Sequence, residues 1–330
     1  MTGVQTLKVS DDEAELRLDR WFKRRFPELG HGRLEKLLRN GQVRVDGKRA
    51  KANLRLEPGQ EIRVPPGADT PRPDGPVKPA KPRLTSADAD FVQALVIHKD
   101  ADVLALNKPA GLAVQGGTGT FRHLDGMLDA LRFEASERPR LVHRLDRDTS
   151  GVILLARSGR VAKILSEAFR GKTARKLYWA LVAGMPKPMQ GKIDLPLAKE
   201  PGPLGERMAR DDEKGQRAVT LYSTVDNAAD RAAWLVMWPL TGRTHQLRVH
   251  AASGLGLPIV GDGKYGGQGA FLTGSVSRKL HLHARSIELP HPSGKGTLKV
   301  TAELPDHMRE TWDLFGFDPK AKVDPFPEEP

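Results

Sequence analysis

The chain has 330 residues, 38% of them hydrophobic and 28% charged, which is an ordinary globular composition with room for two domains and a sizeable core. It has no cysteine, so disulfides and thiolate metal sites are excluded, and no apolar run nears the roughly 20 residues that span a bilayer. Its formal charge of +12 points to a polyanionic partner, of which nucleic acid is the commonest. The opening stretch, MTGVQTLKVSDDEAELRLDRW, lacks the basic-then-apolar order of a secretory signal. With the missing cysteines, this sets the expectation of a cytoplasmic protein without a membrane partner.

Residues 1–65 read as a small basic module. Leu18, Trp21, Phe22 and Phe26 recur at helical spacing, and Pro27 stops that helix. GRLEKLLRNG forms a second helix, with Leu34, Leu37 and Leu38 on one face, Arg33, Lys36 and Arg39 on another, and Gly41 as its stop. QVRVDGKR alternates through an Asp-Gly turn, and QEIRVPP closes a small sheet. The stripe of Arg33, Lys36 and Arg39 lies beside Lys23, Arg24 and Arg25 and suits a run of phosphates; a solvated helix face is the plainer alternative. The helix, the LLRNGQVRVDGKR run and the closing strand resemble the S4 (αL-type) RNA-binding module. That resemblance implies RNA contacts at Arg33, Lys36, Arg39, Arg44 and Lys48.

Residues 66–90 are rich in Pro, Gly and charge and read as a linker. A larger domain is expected over 91–315. ALVIHKDADVLALNKPAG reads as two strands about a tight turn, and HLDGMLDALRF and VAKILSEAFRGK as amphipathic helices. RLVHRL, GVILLAR, KLYWALVAG, AVTLYSTV, AAWLVMWPL and LHARSIEL read as strands, with a helix at THQLRVHAAS. Strands and helices without regular alternation indicate an α+β fold around a largely antiparallel sheet. Residues 316–330 are expected to form a flexible tail.

Familiar chemistries fail one by one. His281 and His283 would share a strand face, but His245 and His250 are too far apart around a helix for the HExxH pair, and no metal site is expected. GDGKYGG has Pro258 and Tyr265 where a Walker loop needs Gly and Ser or Thr. GGTGT at 116–120 lacks the third glycine of a dinucleotide fingerprint; it is either a close approach to a sugar or phosphate or a plain turn. Ser150 sits in TSG rather than GxSxG. One cluster is left, in VHRLDRDTSGVILLAR, residues 142–157. If VHRLD is extended, Arg144 and Asp146 share a face with Leu145 turned inward. A carboxylate flanked by arginines stays ionised when partly dry, as a nucleophile or base must. A structural ion pair with a turn cap at Asp148 and Thr149 would look the same, so residue chemistry alone does not reach a reaction.

HRLDRDTSG resembles the signature motif of the RluA-type pseudouridine synthases without a departure. The resemblance continues through NKPAGLAV, KLYWALVAG, PLTGRTHQLRVH, LPIVGDGKYG and LHARSIELPHP, in order, across the larger domain. With the S4 module ahead of it, AVQGGTG further resembles members acting on the large ribosomal subunit. Gln115 and Leu257 depart from the histidines often found there, and Gln115 bears on substrate choice. The resemblance implies the pseudouridine synthase fold and conversion of uridine to pseudouridine in structured RNA, foremost 23S rRNA in the large-subunit precursor. It implies no cofactor and no metal, and a monomer. Asp146 matches the catalytic aspartate, Tyr178 the tyrosine packed on the target base, and Arg243 the basic partner of the aspartate. Arg144, with Arg147 beside it, matches the arginine linked to base extrusion. The same chemistry on tRNA or another rRNA site, or a non-catalytic ribosome-assembly factor, are the alternatives.

Overall fold

The computed structural model describes residues 3–13, 15–68, 84–117, 120–171, 173–202 and 206–326. The chain divides into two compact units, 1–80 and 81–330. Most of the expected linker, residues 69–83, lies outside the described residues.

The first unit contains β1 (Gln5–Lys8), α1 (Leu18–Arg25), α2 (His31–Arg39), β2 (Arg44–Val45), β3 (Lys48–Arg49) and β4 (Glu61–Val64). Its antiparallel sheet runs β1-β4-β2-β3. Helical spacing in α1 and α2 sends Trp21, Phe22, Leu34 and Leu38 into one core with Val43 and Ile62. Gly41 ends α2 at φ 66°: its N–H reaches Leu38 O and that of Gln42 reaches Leu37 O, a left-handed stop that favours glycine. Asp46 and Gly47, at φ 46° and 73°, form the primed turn that joins β2 to β3.

The second unit starts at α3 (Ser86–Ala94), ahead of the expected Phe91, because the Thr85 hydroxyl accepts from Asp88 N–H and caps a helix there. It continues through β5 (Val96–Lys99), β6 (Val103–Lys108), α4 (Leu124–Met127), β7 (Arg140–Leu141), β8 (Ser150–Ala156), α5 (Gly159–Arg170), β9 (Arg175–Ala183) and β10 (Gln190–Asp194). Next come β11 (Leu197–Glu200), β12 (Arg207–Arg210), β13 (Val219–Ala228), β14 (Ala232–Pro239), α6 (Gln246–Val249) and α7 (Gly263–Gly266). β15 (Leu282–Pro290), β16 (Thr297–Thr301) and α8 (Asp306–Phe315) complete it. The main sheet runs β10-β13-β14-β9-β15-β8-β6-β5, with β16 on β15 and β7 on β8. Among the described pairs only β8 and β15 are parallel, so the fold is α+β with a mixed, mostly antiparallel sheet. No helix among the described residues is long and apolar enough to cross a membrane.

Central strands are buried on both faces and feed two cores in alternation. On β8, Ile153 and Leu155 join a core with Leu124, Leu128 and Leu131, while Val152, Leu154 and Ala156 join another with Val161 and Leu165 of α5. On β9, Trp179 and Leu181 pack with Trp234, Met308 and Trp312, while Ala180 and Val182 face the opposite core. Tyr178 touches two cores at once, at the middle of the sheet.

Two expectations are corrected. VHRLD is not a strand: β7 ends at Leu141 and residues 142–149 are a loop, since the charged run offers no alternating apolar face to pair. The tail expected over 316–330 is packed as far as it is described. Phe317 is buried against Trp234 and Trp312, Asp324 pairs with Arg175 at 2.6 Å, and Phe326 rests on Trp238. Aromatic side chains supply the area that outweighs the chain entropy there.

The loop 142–149 meets β8 at Gly151, φ 109°, where a Cβ would lie 2.2 Å from Ala284 O of β15. The glycine of TSG thus permits the one parallel contact that brings β8 against β15. Gly151→Ala is expected to lose at least about 2 kcal/mol of stability, read as a lowered midpoint in thermal or urea unfolding; a midpoint within error of the parent would show that the strands can part freely.

Candidate active site

The loop that carries Asp146 is pinned on both sides. Before it, His143 stacks on Phe169 with centroids 4.3 Å apart and its Nε2 accepts the Leu154 N–H at 2.8 Å, while Leu145 is buried in the core. After it, Thr149 N–H returns to Asp146 O, and the Ser150 hydroxyl lies 2.9 Å from His283 Nδ1. Lys108, fully buried at the end of β6, donates to Pro109 O, Leu112 O and Arg147 O, each at 2.9 Å. Burial draws its pKa down to about 8, against the pull of Asp148 and Asp146. Arg147 closes the clasp: its Nε donates to Gly111 O, and its own carbonyl accepts from Gly111 N–H. NKPAG and HRLD, distant in sequence, are therefore one structural unit.

Asp146 borders a cavity of about 790 Å3 whose walls include Arg144, Lys176, Tyr178, Trp238, Arg243, His245 and Arg248. A second cavity, about 540 Å3, shares Asp146, His245 and Arg248 and is edged by Arg147, Lys264, Arg278 and Lys279. The Asp146 side chain is 20% exposed, so it is neither sealed in packing nor open on the surface. Burial, reinforced by negative Asp146, pushes the Tyr178 phenol above its ordinary value and keeps it neutral.

His245 Nε2 lies 3.9 Å from Asp146 Oδ1. Its backbone, at φ 52° and ψ 19°, is left-handed, an uncommon state for a non-glycine residue. Its Nδ1 is 2.6 Å from the Tyr265 hydroxyl, which accepts the Met208 N–H at 3.3 Å. The imidazole is thus held between the Tyr265 hydroxyl at Nδ1 and the Asp146 carboxylate at Nε2. Burial lowers the His245 pKa; Asp146 opposes this, while Arg248 and Lys264 add to it. Below it, Arg248 grips Asp262 with two bonds of 2.7 Å and covers the Tyr265 ring at 5.0 Å. Asp262 and Asp146 raise the Arg248 pKa against the effect of burial.

Arg243 does not pair with Asp146. Its Nη1 donates to Gln216 Oε1 at 2.8 Å and its Nε to Arg217 O at 3.2 Å. Gln246 explains the turn: its Oε1 accepts from Thr241 Oγ1 and Arg243 N–H, and its Nε2 donates to Val219 O. This knot aims Arg243 along the cavity rim and leaves Arg248, one helical turn on, as the buried arginine that feels Asp146. Arg144 is exposed on the rim of the larger cavity, whereas Arg147 faces only the smaller one. The two arginines expected to act together are thus separated by the chain direction at Asp146.

Lys108, Arg248 and Asp262 were not singled out from the sequence, and His245 and Tyr265 were weighed there only against a metal pair and a Walker loop, although each lies in a motif quoted there. The signal was their residue type: charged or polar groups inside otherwise apolar segments. His281, just before β15, spends its ring nitrogens on Lys279 O and Thr311, and His283, within β15, on Ser150 and Ala302 O.

Residues 102–253 match a family model described as RNA pseudouridylate synthase. The "RNA pseudouridine synthase 4, mitochondrial" of Arabidopsis thaliana is 36% identical, over 95% of this chain and 82% of its own length. The "Ribosomal large subunit pseudouridine synthase C" of Escherichia coli O157:H7 is 35% identical, over 93% of this chain and 95% of its own. Among solved structures, "Human RNA Pseudouridylate Synthase Domain Containing 4" matches with a TM-score of 0.60 at 28% identity, covering 70% of this chain and 97% of that one.

The clasp at Lys108 is testable by unfolding and turnover together. Lys108→Met keeps the stem but takes the donor from Pro109 O and Leu112 O and leaves Arg147 O with the Gly111 N–H alone, and is expected to lose about 3 kcal/mol or more. Turnover should fall with it, as the Asp146 loop loosens. Parent-like stability and turnover would show that the ammonium does not hold the loop.

Proposed function

This chain belongs to the RNA pseudouridylate synthase family, and we propose that it converts uridines of large-subunit ribosomal RNA to pseudouridine with Asp146 as the acting carboxylate. The observation that carries this reading is Asp146 and Tyr178 on the wall of one cavity of about 790 Å3, a size suited to a nucleotide. The target RNA is inferred from relatives such as the Escherichia coli protein, whose name specifies the large ribosomal subunit. We read the enzyme as a cytoplasmic monomer acting on the subunit precursor.

The reaction breaks N1–C1′, turns the uracil, joins C5 to C1′, releases the C5 hydrogen as a proton and returns a proton to N1. It exchanges bonds within one nucleotide, and its balance calls for no electron donor or group donor. A stacked uridine hides these atoms, so it must leave the helix at a cost of a few kcal/mol. Stacking on Tyr178 returns roughly 1–3 kcal/mol of that. Asp146 then meets the sugar or base edge as nucleophile or as base. Its neighbours suit either role: the Tyr178 phenol is neutral, and burial favours the neutral His245 imidazole. Arg248 supplies fixed positive charge from below, the part the sequence resemblance had assigned to Arg243. Arg144, on the rim and without a partner among the described residues, is placed to fill the gap left by the extruded base.

We read the first unit as an S4-type RNA-binding module. Lys36, Arg39 and Lys48 are exposed and have no carboxylate partner among the described residues, as a phosphate-binding face requires. Arg33 and Arg44 are also exposed but already donate to Gly67 O and to Gly41 O and Gly47 O, so they brace the module as well.

Asp146→Asn should fold and bind RNA yet release no tritium from C5-labelled rRNA transcripts; measurable turnover would remove Asp146 from the chemistry. Mapping pseudouridines in 23S rRNA with and without the gene should reveal sites that vanish. Sites lost from tRNA instead would move the substrate. Replacing Arg33, Lys36 and Arg39 with Gln should weaken RNA binding and flatten its log–log salt slope by about 2 to 3. An unchanged slope would make the stripe a solvated face.

A further inference from the structure

The cavity around Asp146 contains a cation that the foregoing reading leaves unused. Lys176 precedes Tyr178 by two positions on β9, so strand alternation puts both on one face, and both line the same cavity. Its ammonium has no hydrogen-bond or ion-pair partner among the described residues; the neighbour at hand is the Phe169 ring, 5.9 Å from Nζ. Phe169 is itself held by the stacked His143, so this wall is rigid.

An unpaired, half-dry cation is a cost to the empty protein. Burial draws the Lys176 pKa below the ordinary lysine value. The cavity thus holds a carboxylate, Asp146, and a cation, Lys176, that form no ion pair with each other among the described residues. Two exposed arginines of the same rim, Arg144 and Arg170, also lack partners among the described residues. A nucleotide in a chain offers a partner to each: a glycosidic carbon to meet the carboxylate, and a phosphodiester further out along the ribose.

We propose that Lys176, with Arg170 beside it at the rim, binds the phosphodiester adjoining the extruded uridine. This rests on the reading of the cavity as a uridine site in RNA. The contact holds the nucleotide equally before and during the reaction, so it strengthens binding rather than the chemical step.

The test uses the full chain and a stem-loop RNA with one uridine that the parent enzyme converts. Lys176→Met should raise KM about tenfold or more, as loss of a hydrogen bond to a charged group does, with a much smaller change in kcat. Lys176→Arg should recover most of the loss. A neutral methylphosphonate at one of the two linkages flanking the uridine should raise KM for the parent and leave Lys176→Met unaffected. The thermal midpoint of Lys176→Met should equal or exceed that of the parent, because an unpaired charge has gone. A clearly lowered midpoint, an unchanged KM, or methylphosphonates that penalise variant and parent alike would overturn the assignment while the parent stays active. A parent enzyme that converts no uridine in rRNA or tRNA would overturn the underlying reading, and the phosphate assignment with it.

Discussion

An ammonium group stripped of water must find acceptors for its three protons or be expelled from the interior. Lys108 finds them in three carbonyls from two segments far apart in the chain, and this requirement fixes the geometry of the site. Because Arg147 O is one of the three, the residue just before it, Asp146, has little freedom left. His143 and Leu145 on one side and Gly151 on the other complete the restraint. The carboxylate stands on a loop, yet that loop is held as firmly as a strand. Such preorganisation is what a charged group needs if it is to meet a reacting atom without rearranging first.

The surroundings of Asp146 are sorted by charge as well as by position. Tyr178, His143 and His245 are all driven toward their neutral forms by burial. The full positive charges are held further back, on Lys108 and on Arg248 in its clamp with Asp262. Asp146 is thus stabilised from beneath without being quenched by a direct ion pair with either. His245 supports this at the expense of a left-handed backbone, tolerated because Tyr265 and the Gln246 knot hold the turn around it.

The large sheet explains why a nucleotide-sized hollow exists at the centre of the unit. β9 contributes Trp179 and Leu181 to one core and Ala180 and Val182 to another, so it cannot shift without disturbing both. Tyr178 and Lys176 project from this strand, and α5 brings Phe169 and Arg170 to the same cavity, with the Phe169 ring near Lys176. The C-terminal residues through Phe326 brace the back of Trp238, a wall of the cavity, through Arg175.

Local pattern in the chain was enough to place α1, α2, α5, β6, β8, β9, β13 and β14, since each has a clear apolar period or a matched stop signal such as Gly41. The charge cluster around Asp146 was visible in that pattern as well, whereas the roles of Asp146 and Tyr178 came from motif resemblance. The short strands β10, β11, β12 and β16, and α3 and α8, escaped that reading, as their burial is supplied by distant partners. So did the ordered tail, which depends on Trp238 and Arg175. The same limit governed the charges around Asp146. Sequence proximity pointed to Arg147, and motif resemblance to Arg243, whereas Arg248, His245 and Lys108 are the groups that its field reaches. A sequence records which side chains are unusual for their local period; which of them meet is decided by chain reversal and long-range packing, and charges interact through space rather than along the chain.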